Sequence, residues 1–206
     1  MAMNRGRAKR AGVLLGMIGL AGGVLAAGFL LLPRWLVIDS QMEDAEVIFH
    51  LAIDTHSNAD PFIAGLYRPG KTRKIVCVSG QISWEEYPAD YAARHLIELG
   101  VPAESVSAMR MPVLECRAEA LRELAARTRA EGARRVLLVA QPEDSRHLYS
   151  LARTIFAREG LEAFVAYAPE DRDELLRDWW RVHWKVQRFV DEAMQISLDS
   201  LYSNCR

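Results

Sequence analysis

Residues 135–140 read RVLLVA, and this stretch decides the fold. After one arginine, five residues in succession are apolar, a pattern typical of a strand that is covered on both faces. Residues 74–78 (KIVCV) repeat the pattern with β-branched side chains. The two runs predict interior strands of a parallel sheet.

Weaker strands and helical patterns alternate on either side of these two runs. Further strands are predicted at residues 45–53, 105–108 and 161–168, and helices at residues 61–67, 84–99, 114–130, 145–159 and 174–202. Gly100, Gly132 and Gly160 mark the ends of three helices, as C-terminal capping glycines do. The order predicts an α/β fold, namely a three-layer, Rossmann-like parallel sheet of about five strands with right-handed crossovers.

The N-terminal segment has the composition of a membrane anchor. Residues 11–33 carry no charge, and their length in a helix matches a hydrocarbon core of about 30 Å. Four basic residues precede them within residues 5–10, so the positive-inside rule places the N-terminus in the cytoplasm. A cleaved signal peptide with a small-residue site at residues 24–26 is the alternative, although the apolar run continues through Leu32.

Four segments follow from this topology. Residues 1–10 form a cytoplasmic basic tail, residues 11–33 a transmembrane helix, residues 34–43 a juxtamembrane connector and residues 44–206 an α/β domain. In a Gram-negative host, the chain would cross the inner (plasma) membrane once and place its C-terminal domain in the periplasm.

The charge distribution argues against nucleic acid as a partner. The net charge is −1, but residues 1–34 hold five basic and no acidic residues, leaving 21 basic and 27 acidic residues in the rest of the chain. An acidic domain lacks the positive surface that phosphate backbones require. The three cysteines form no CxxC pair and no Cys/His ligand spacing, so no metal and no cofactor is predicted.

The order of these segments resembles the YdcF-like (SanA/ElyC-like) family. The likeness rests on residues 64–80 (AGLYRPGKTRKIVCVSG), 95–106 (HLIELGVPAESV) and 179–202 (WWRVHWKVQRFVDEAMQISLDSLY). It implies a single membrane span followed by a domain that acts in the cell envelope. The family's glycines after the first strand fall on residues 52–54 (AID), and its His-x-Arg-Arg motif is mostly replaced within residues 140–148. The resemblance is therefore to a divergent member with degenerate site motifs.

Polar residues remain at the predicted carboxyl ends of the strands, where parallel α/β sheets bind ligands. Asp144, Arg146 and His147 begin a helix, either as a site for anion binding or proton transfer, or as an N-cap with a solvated arginine. Ser79 either binds a ligand or acts as a nucleophile, or it closes the strand by capping the next turn. The candidate cleft consists of Ser79, Gln81, Glu115, Asp144, Arg146 and His147. Glu115 is either a site acid or a first-turn acid that the helix dipole favours, and no catalytic residue is assigned.

Two further sets of residues predict contacts with other membrane proteins, in addition to the lipid bilayer. Gly12 and Gly16 have the spacing that lets membrane helices approach closely. Trp179, Trp180 and Trp184 fall on the predicted last helix, where neighbouring residues are about 100° apart, so they cannot all face the core. One of these tryptophans is expected at the surface.

Two classes of function remain. The degenerate motifs favour a membrane-anchored, periplasm-facing binding or structural module, or an accessory subunit of a membrane or envelope complex, without full catalytic machinery. The retained polar residues favour the alternative, an envelope-biogenesis enzyme or small-ligand-binding protein that uses the cleft. The sequence leaves enzymatic activity undecided.

Overall fold

The computed structural model describes residues 4–41, 43–51, 58–81, 87–111 and 117–201. Two compact units make up the chain, Met1–Trp35 and Leu36–Arg206. Helix α1 (Asn4–Leu36) occupies residues 4–35 of the first unit and ends at the first residue of the second. Its segment Gly16–Leu36 has 21 residues and a mean hydropathy of 1.9, which makes it long and apolar enough to cross a membrane. A signal sequence would meet the same criteria of length and composition.

The second unit contains a parallel sheet of five strands, which confirms the predicted α/β class. The strands are β1 (Val47–His50), β2 (Lys74–Ser79), β3 (Val106–Arg110), β4 (Arg135–Val139) and β5 (Glu162–Ala166), in the spatial order β3-β2-β1-β4-β5. In the register of β4, Leu138 pairs with Phe49 on one side and Val165 on the other. The RVLLVA run is therefore an interior strand, and β1 occupies the middle of the sheet.

Within the described residues, this unit has six helices, one between each pair of successive strands and two after the last strand. They are α2 (Ala59–Leu66), α3 (Pro88–Glu98), α4 (Arg117–Ala130), α5 (Ser145–Arg158), α6 (Pro169–Leu176) and α7 (His183–Leu201). Successive strand residues enter different hydrophobic clusters, because side chains alternate between the faces of a sheet. Phe49 packs with Leu124 of α4 and Phe156 of α5, whereas Ile48 packs in the cluster that contains Ile63 of α2. The sheet is thus buried on both faces.

The prediction of one helix over residues 174–202 is wrong. Asp178 has φ of +52°, in the left-handed region, and separates α6 from a 3-10 turn at Trp179–Arg181 that precedes α7. The buried ammonium group of Lys185 donates to the backbone carbonyls of Glu174 and Arg177, which lie at the end of α6. Lysine near a helix C-terminus satisfies carbonyls that have no partner within the helix.

The chain segment that begins at Leu36, the first residue of the second unit, is bound to the carboxyl end of the sheet. The Ser145 hydroxyl donates to the Leu36 carbonyl at 3.4 Å and accepts from the Ile38 backbone N–H at 3.1 Å. The Gln41 N–H donates to the carbonyl of Val165 at 2.9 Å. Residues 36–41 therefore run beside the edge strand β5, at the start of α5.

Candidate functional site

Five of the six predicted cleft residues lie in the described part of the chain. Ser79 is the last residue of β2, and Gln81 follows it, exposed. Asp144 ends the 3-10 turn after β4, and Arg146 and His147 lie in the first turn of α5. All five follow the carboxyl end of β2 or β4, two strands that β1 separates. Glu115 lies outside the described residues.

The Ser79 hydroxyl is engaged at the start of the next helix. Its oxygen accepts a hydrogen bond from the Ala89 backbone N–H at 2.9 Å. Ala89 follows Pro88 at the N-terminus of α3, where backbone N–H groups have no partner within the helix. The Ser79 hydroxyl therefore has a partner in the N-terminal turn of α3, ten residues further along the chain.

Asp144 and His147 belong to a cluster of charged side chains, which we call the Arg117 cluster. The guanidinium group of Arg117 donates to Glu192 at 2.8 Å and to Asp144 at 3.1 Å. The imidazole Nδ1 of His147 lies 2.9 Å from the same Glu192 oxygen. Arg117 begins α4, His147 lies in α5 and Glu192 lies in α7. The cluster therefore joins three helices above the carboxyl end of β4.

A second ion pair continues the cluster along α7. The Arg188 guanidinium group donates to a carboxylate oxygen of Glu143 at 2.9 Å. Burial raises the pKa of Glu143, and the hydrogen bond and charge of Arg188 oppose this rise. Its other carboxylate oxygen is buried without a hydrogen-bond partner.

Burial raises the pKa of Asp144 to about 7. The charge of Arg117 opposes that rise, whereas the neighbouring carboxylates of Glu192 and Glu143 add to it. For Glu192, burial alone would raise the pKa, but hydrogen bonding to His147 and the charge of Arg117 outweigh it and lower the pKa. Asp144 and Glu192 are also linked by a hydrogen bond. The surroundings thus shift the two acids in opposite directions, Asp144 toward its neutral form and Glu192 toward its ionised form.

For Arg117, burial acts to lower the pKa, but the carboxylates of Asp144 and Glu192 outweigh this effect and raise it. Its side chain is 37% exposed and that of Asp144 is 30% exposed, while the side chains of His147 and Glu192 are each 5% exposed. Solvent thus reaches the cluster through its arginine and its protonated acid. A carboxyl that titrates near neutral pH can donate a proton, and a guanidinium group can bind an anion. In this cluster, both groups already have partners within the fold.

Sequence reasoning missed Arg117 and Glu192, which hold the cluster together. A signal for Glu192 exists in the helical spacing of Lys185, Phe189 and Glu192, which places the acid on the buried face of α7. A buried acid requires a partner of opposite charge. No comparable signal marks Arg117, because its partners lie 27 and 75 residues away.

A second polar cluster lies on the other side of the sheet. The Asp60 carboxylate is 2.5 Å from His50 Nε2 and 2.6 Å from His95 Nδ1. Burial acts to raise the pKa of Asp60, but the two imidazole hydrogen bonds outweigh it and lower the pKa. Neighbouring Cys77 is a buried thiol, and burial raises its pKa to about 12. Within the described residues, no group of three or more His, Cys, Asp and Glu side chains is arranged to hold a metal ion.

A cavity of about 480 Å³ lies beside the edge strand β3. Ion pairs line it, including Lys74 with Glu131 at 3.0 Å and Arg110 with Asp90 at 3.1 Å. Its lining residues, all from the described part of the chain, include none of the predicted cleft residues. The cavity is therefore separate from the Arg117 cluster.

The residues predicted to meet a membrane partner divide between core and surface. Trp179 is 4% exposed and its ring meets that of Phe189 edge to face at 5.3 Å, whereas Trp180 is 51% and Trp184 46% exposed. Two tryptophans, not one, thus lie at the surface. Gly12 and Gly16 lie in α1, and a Cβ atom at Gly16 would meet no atom within 4 Å.

The chain matches no family model, and comparison with curated proteins and with solved structures likewise gives no match.

Proposed function

We propose that this protein is a membrane-anchored binding or structural module, an accessory subunit of a membrane or envelope complex, without full catalytic machinery. The proposal rests on one observation: the polar groups at the carboxyl ends of the strands already have hydrogen-bond and ion-pair partners within the fold. Ser79 accepts the N–H of Ala89, while Asp144 and His147 are engaged with Arg117 and Glu192. Side chains that satisfy one another have little free capacity for a substrate.

The proposal includes a Rossmann-like, three-layer arrangement and membership of the YdcF-like family as a divergent branch. The strand order β3-β2-β1-β4-β5 supports the first point, since it is the order of the first five strands of that fold. The segments quoted from the sequence support the second. The proposed location is the inner membrane, crossed once by α1, with residues 34–206 in the periplasm because the basic residues precede the span.

The lipid bilayer is one proposed partner, and other membrane proteins are the second. The proposed protein contacts are the Gly12 and Gly16 face of α1 and the exposed Trp180 and Trp184. Large aromatic side chains dominate the energy of many protein interfaces, and paired glycines let membrane helices approach closely.

One observation favours the alternative, an envelope enzyme or small-ligand-binding protein. Burial raises the pKa of Asp144 to about 7, and strongly shifted carboxyls are more frequent at functional sites than elsewhere. In that case Asp144 would be the proton donor, with Arg117 beside it to bind an anionic group.

Complementation of a deletion strain separates the two classes. For a binding module, Asp144→Ala and His147→Ala should support growth like the unchanged protein, once immunoblots show equal protein levels. Trp180→Ala and Gly16→Leu should then lose function. Tyr91→Ala, which removes an aromatic ring of similar exposure from α3, is the matched control and should be silent.

The reverse pattern would identify the cleft as the functional site. A catalytic proton donor typically contributes about 10²-fold or more in rate, so loss of function from Asp144→Ala at normal protein level, with Trp180→Ala and Gly16→Leu silent, would overturn the proposal.

A further inference from the structure

Helix α7 is attached to the rest of the α/β unit mainly through charged side chains. Among residues 183–198, whose side chains the structure describes, three are buried, and two of these, Lys185 and Glu192, carry charges. The third, Phe189, packs on Trp179 in the turn just before α7 and belongs to neither core cluster of the sheet within the described residues. Most helices in proteins are held by the packing of an apolar face. The attachment of α7 instead depends on its ion pairs.

Two of these ion pairs join α7 to the carboxyl end of β4. The Glu192 carboxylate is engaged with Arg117 and His147, and Arg188 donates to Glu143. Glu143 lies in the 3-10 turn after β4, which also contacts α7. Both pairs use a carboxylate that is almost fully buried, so their strength depends on the charges around them.

The charges at this end of the sheet do not balance when every acid is ionised. The bonded group contains three carboxyls, Glu143, Asp144 and Glu192, but only two guanidinium groups, Arg117 and Arg188. With the neighbouring imidazole neutral, the group has one negative charge in excess, which a single bound proton would cancel. An uncompensated buried charge is costly, so we expect the attachment of α7 to be strongest with that proton bound.

Asp144 is the acid placed to hold this proton. It accepts from Arg117 of α4, is hydrogen-bonded to Glu192 of α7 and lies beside Glu143 of its own turn. Burial and the two neighbouring carboxylates raise the pKa of Asp144 to about 7, whereas the pKa of Glu192 is lowered. Ionisation of Asp144 would therefore place a second charged carboxylate against the one that holds α7.

The remaining charged groups near this turn belong to α5 and α6. Arg146 is half-buried in the first turn of α5. Helix α6 also contacts the turn, but its Asp171 accepts from Asn58 and its Arg172 lies 3.7 Å from Asp173. The exposed acids of α6 are Glu170, Asp173 and Glu174. The charged groups of α6 are thus paired elsewhere or face solvent.

We propose that Asp144 makes the attachment of α7 dependent on pH, so that the helix is docked while Asp144 is protonated and is released more readily, with the sheet still folded, once Asp144 is ionised. Release would remove the Glu192 carboxylate from Arg117 and His147 and expose both groups at the carboxyl end of the sheet. The device lies wholly within the α/β unit and is independent of the proposed function.

Hydrogen–deuterium exchange of the full chain in detergent tests the proposal. Exchange of the amides of residues 186–198 is measured at pH 5 and pH 8 and compared with the intrinsic rate at each pH to give protection factors. Each pH unit below the raised pKa of about 7 shifts the docking equilibrium about tenfold, so the protection of α7 should fall about 100-fold between the two pH values. The amides of β4 should be better protected than those of α7 at both, because α7 opens without the sheet.

Asp144→Asn is neutral at both pH values and keeps an oxygen that can accept from Arg117. It should abolish the pH dependence of α7 protection. Glu192→Gln removes the carboxylate beside Asp144 and should reduce the change, because the pKa of Asp144 would then be less raised. Asp173→Asn, on the exposed side of α6, is the matched control and should keep the full change. Protection of β4 in each variant shows that the sheet is folded.

Equal protection of α7 at pH 5 and pH 8 in the unchanged protein would overturn the proposal. So would a pH dependence that persists undiminished in Asp144→Asn and Glu192→Gln, since another group would then titrate. If the protection factors of α7 match those of β4 at both pH values, the helix detaches only when the whole unit unfolds, and the proposal fails.

Discussion

At the scale of single residues, Asp144 is an acid whose protonation is set by its surroundings. Burial and two neighbouring carboxylates keep this acid protonated at pH values where an ordinary aspartate is ionised, against the pull of Arg117. Glu192 remains ionised in the same cluster because His147 and Arg117 stabilise its charge. Neutralising one acid of a closely spaced pair avoids the repulsion of two buried negative charges.

The raised pKa predicts a pH dependence of stability. Between its ordinary value of 3.8 and about 7, folded Asp144 holds a proton that the unfolded chain has released, so the free energy of unfolding falls as the pH rises through this window. Asp144→Asn removes the titration. We expect the stability of the variant relative to the unchanged protein to be greater at pH 8 than at pH 4.5. Each pH unit between 4.5 and the raised pKa of about 7 contributes about 1.4 kcal/mol, so the difference should be about 3 kcal/mol, or ~6–12 °C in Tm for a chain of this size.

Thermal unfolding of the full chain in detergent at the two pH values measures this effect. Asp173→Asn, on the exposed side of α6, is the matched control and should show the same Tm difference at both. A pH-independent Tm difference for Asp144→Asn would mean that Asp144 is ionised in the folded protein throughout this range.

At the scale of elements, β4 organises the α/β unit. Its residues 136–139 are 0–2% exposed, and β4 is bonded to β1 and β5. Alternate residues serve different clusters, Leu138 with α4 and α5, and Leu137 with α2 and α3. A single strand therefore supports packing on both faces of the sheet.

Leu138 should accordingly be among the most sensitive positions in the chain. Leu138→Ala leaves a cavity in a packed core and should cost about 2–5 kcal/mol of unfolding free energy, whereas Leu138→Asp buries an unpaired charge and should prevent folding. Urea unfolding followed by circular dichroism provides the measurement. Ile97→Ala, on the exposed side of α3, is the control and should cost far less. Unchanged unfolding of Leu138→Ala would contradict the buried placement of β4.

At the scale of the whole molecule, the charge on either side of α1 predicts the topology. Arg5, Arg7, Lys9 and Arg10 precede the apolar segment, and only Arg34 follows within its immediate flank. A C-terminal alkaline phosphatase fusion should be active, and a C-terminal green fluorescent protein fusion should be dark after Sec-dependent export. Replacing the four N-terminal basic residues by glutamate should reduce the phosphatase activity, since these charges set the orientation. An inactive phosphatase fusion together with a fluorescent protein fusion would place the domain in the cytoplasm.

The sequence by itself determined the α/β class, the parallel sheet and an apolar N-terminal helix of membrane-spanning length. These features follow from local patterns. The run at residues 135–140 requires burial on both faces, and Gly100, Gly132 and Gly160 end α3, α4 and α5 with positive φ, a conformation that glycine adopts without strain.

Only the tertiary structure decided the partners of the polar residues and the break before α7. Arg117 and Glu192 meet because the crossovers bring α4 and α7 to one end of the sheet, and no local pattern relates residues 75 positions apart. The break at Asp178 lacks the glycine or proline that usually signals one. It is held by Lys185, which is bonded to the end of α6, and by the packing of Trp179 on Phe189. Long-range contacts of this kind override the helical propensity of the segment, which is why the sequence predicted one continuous helix there.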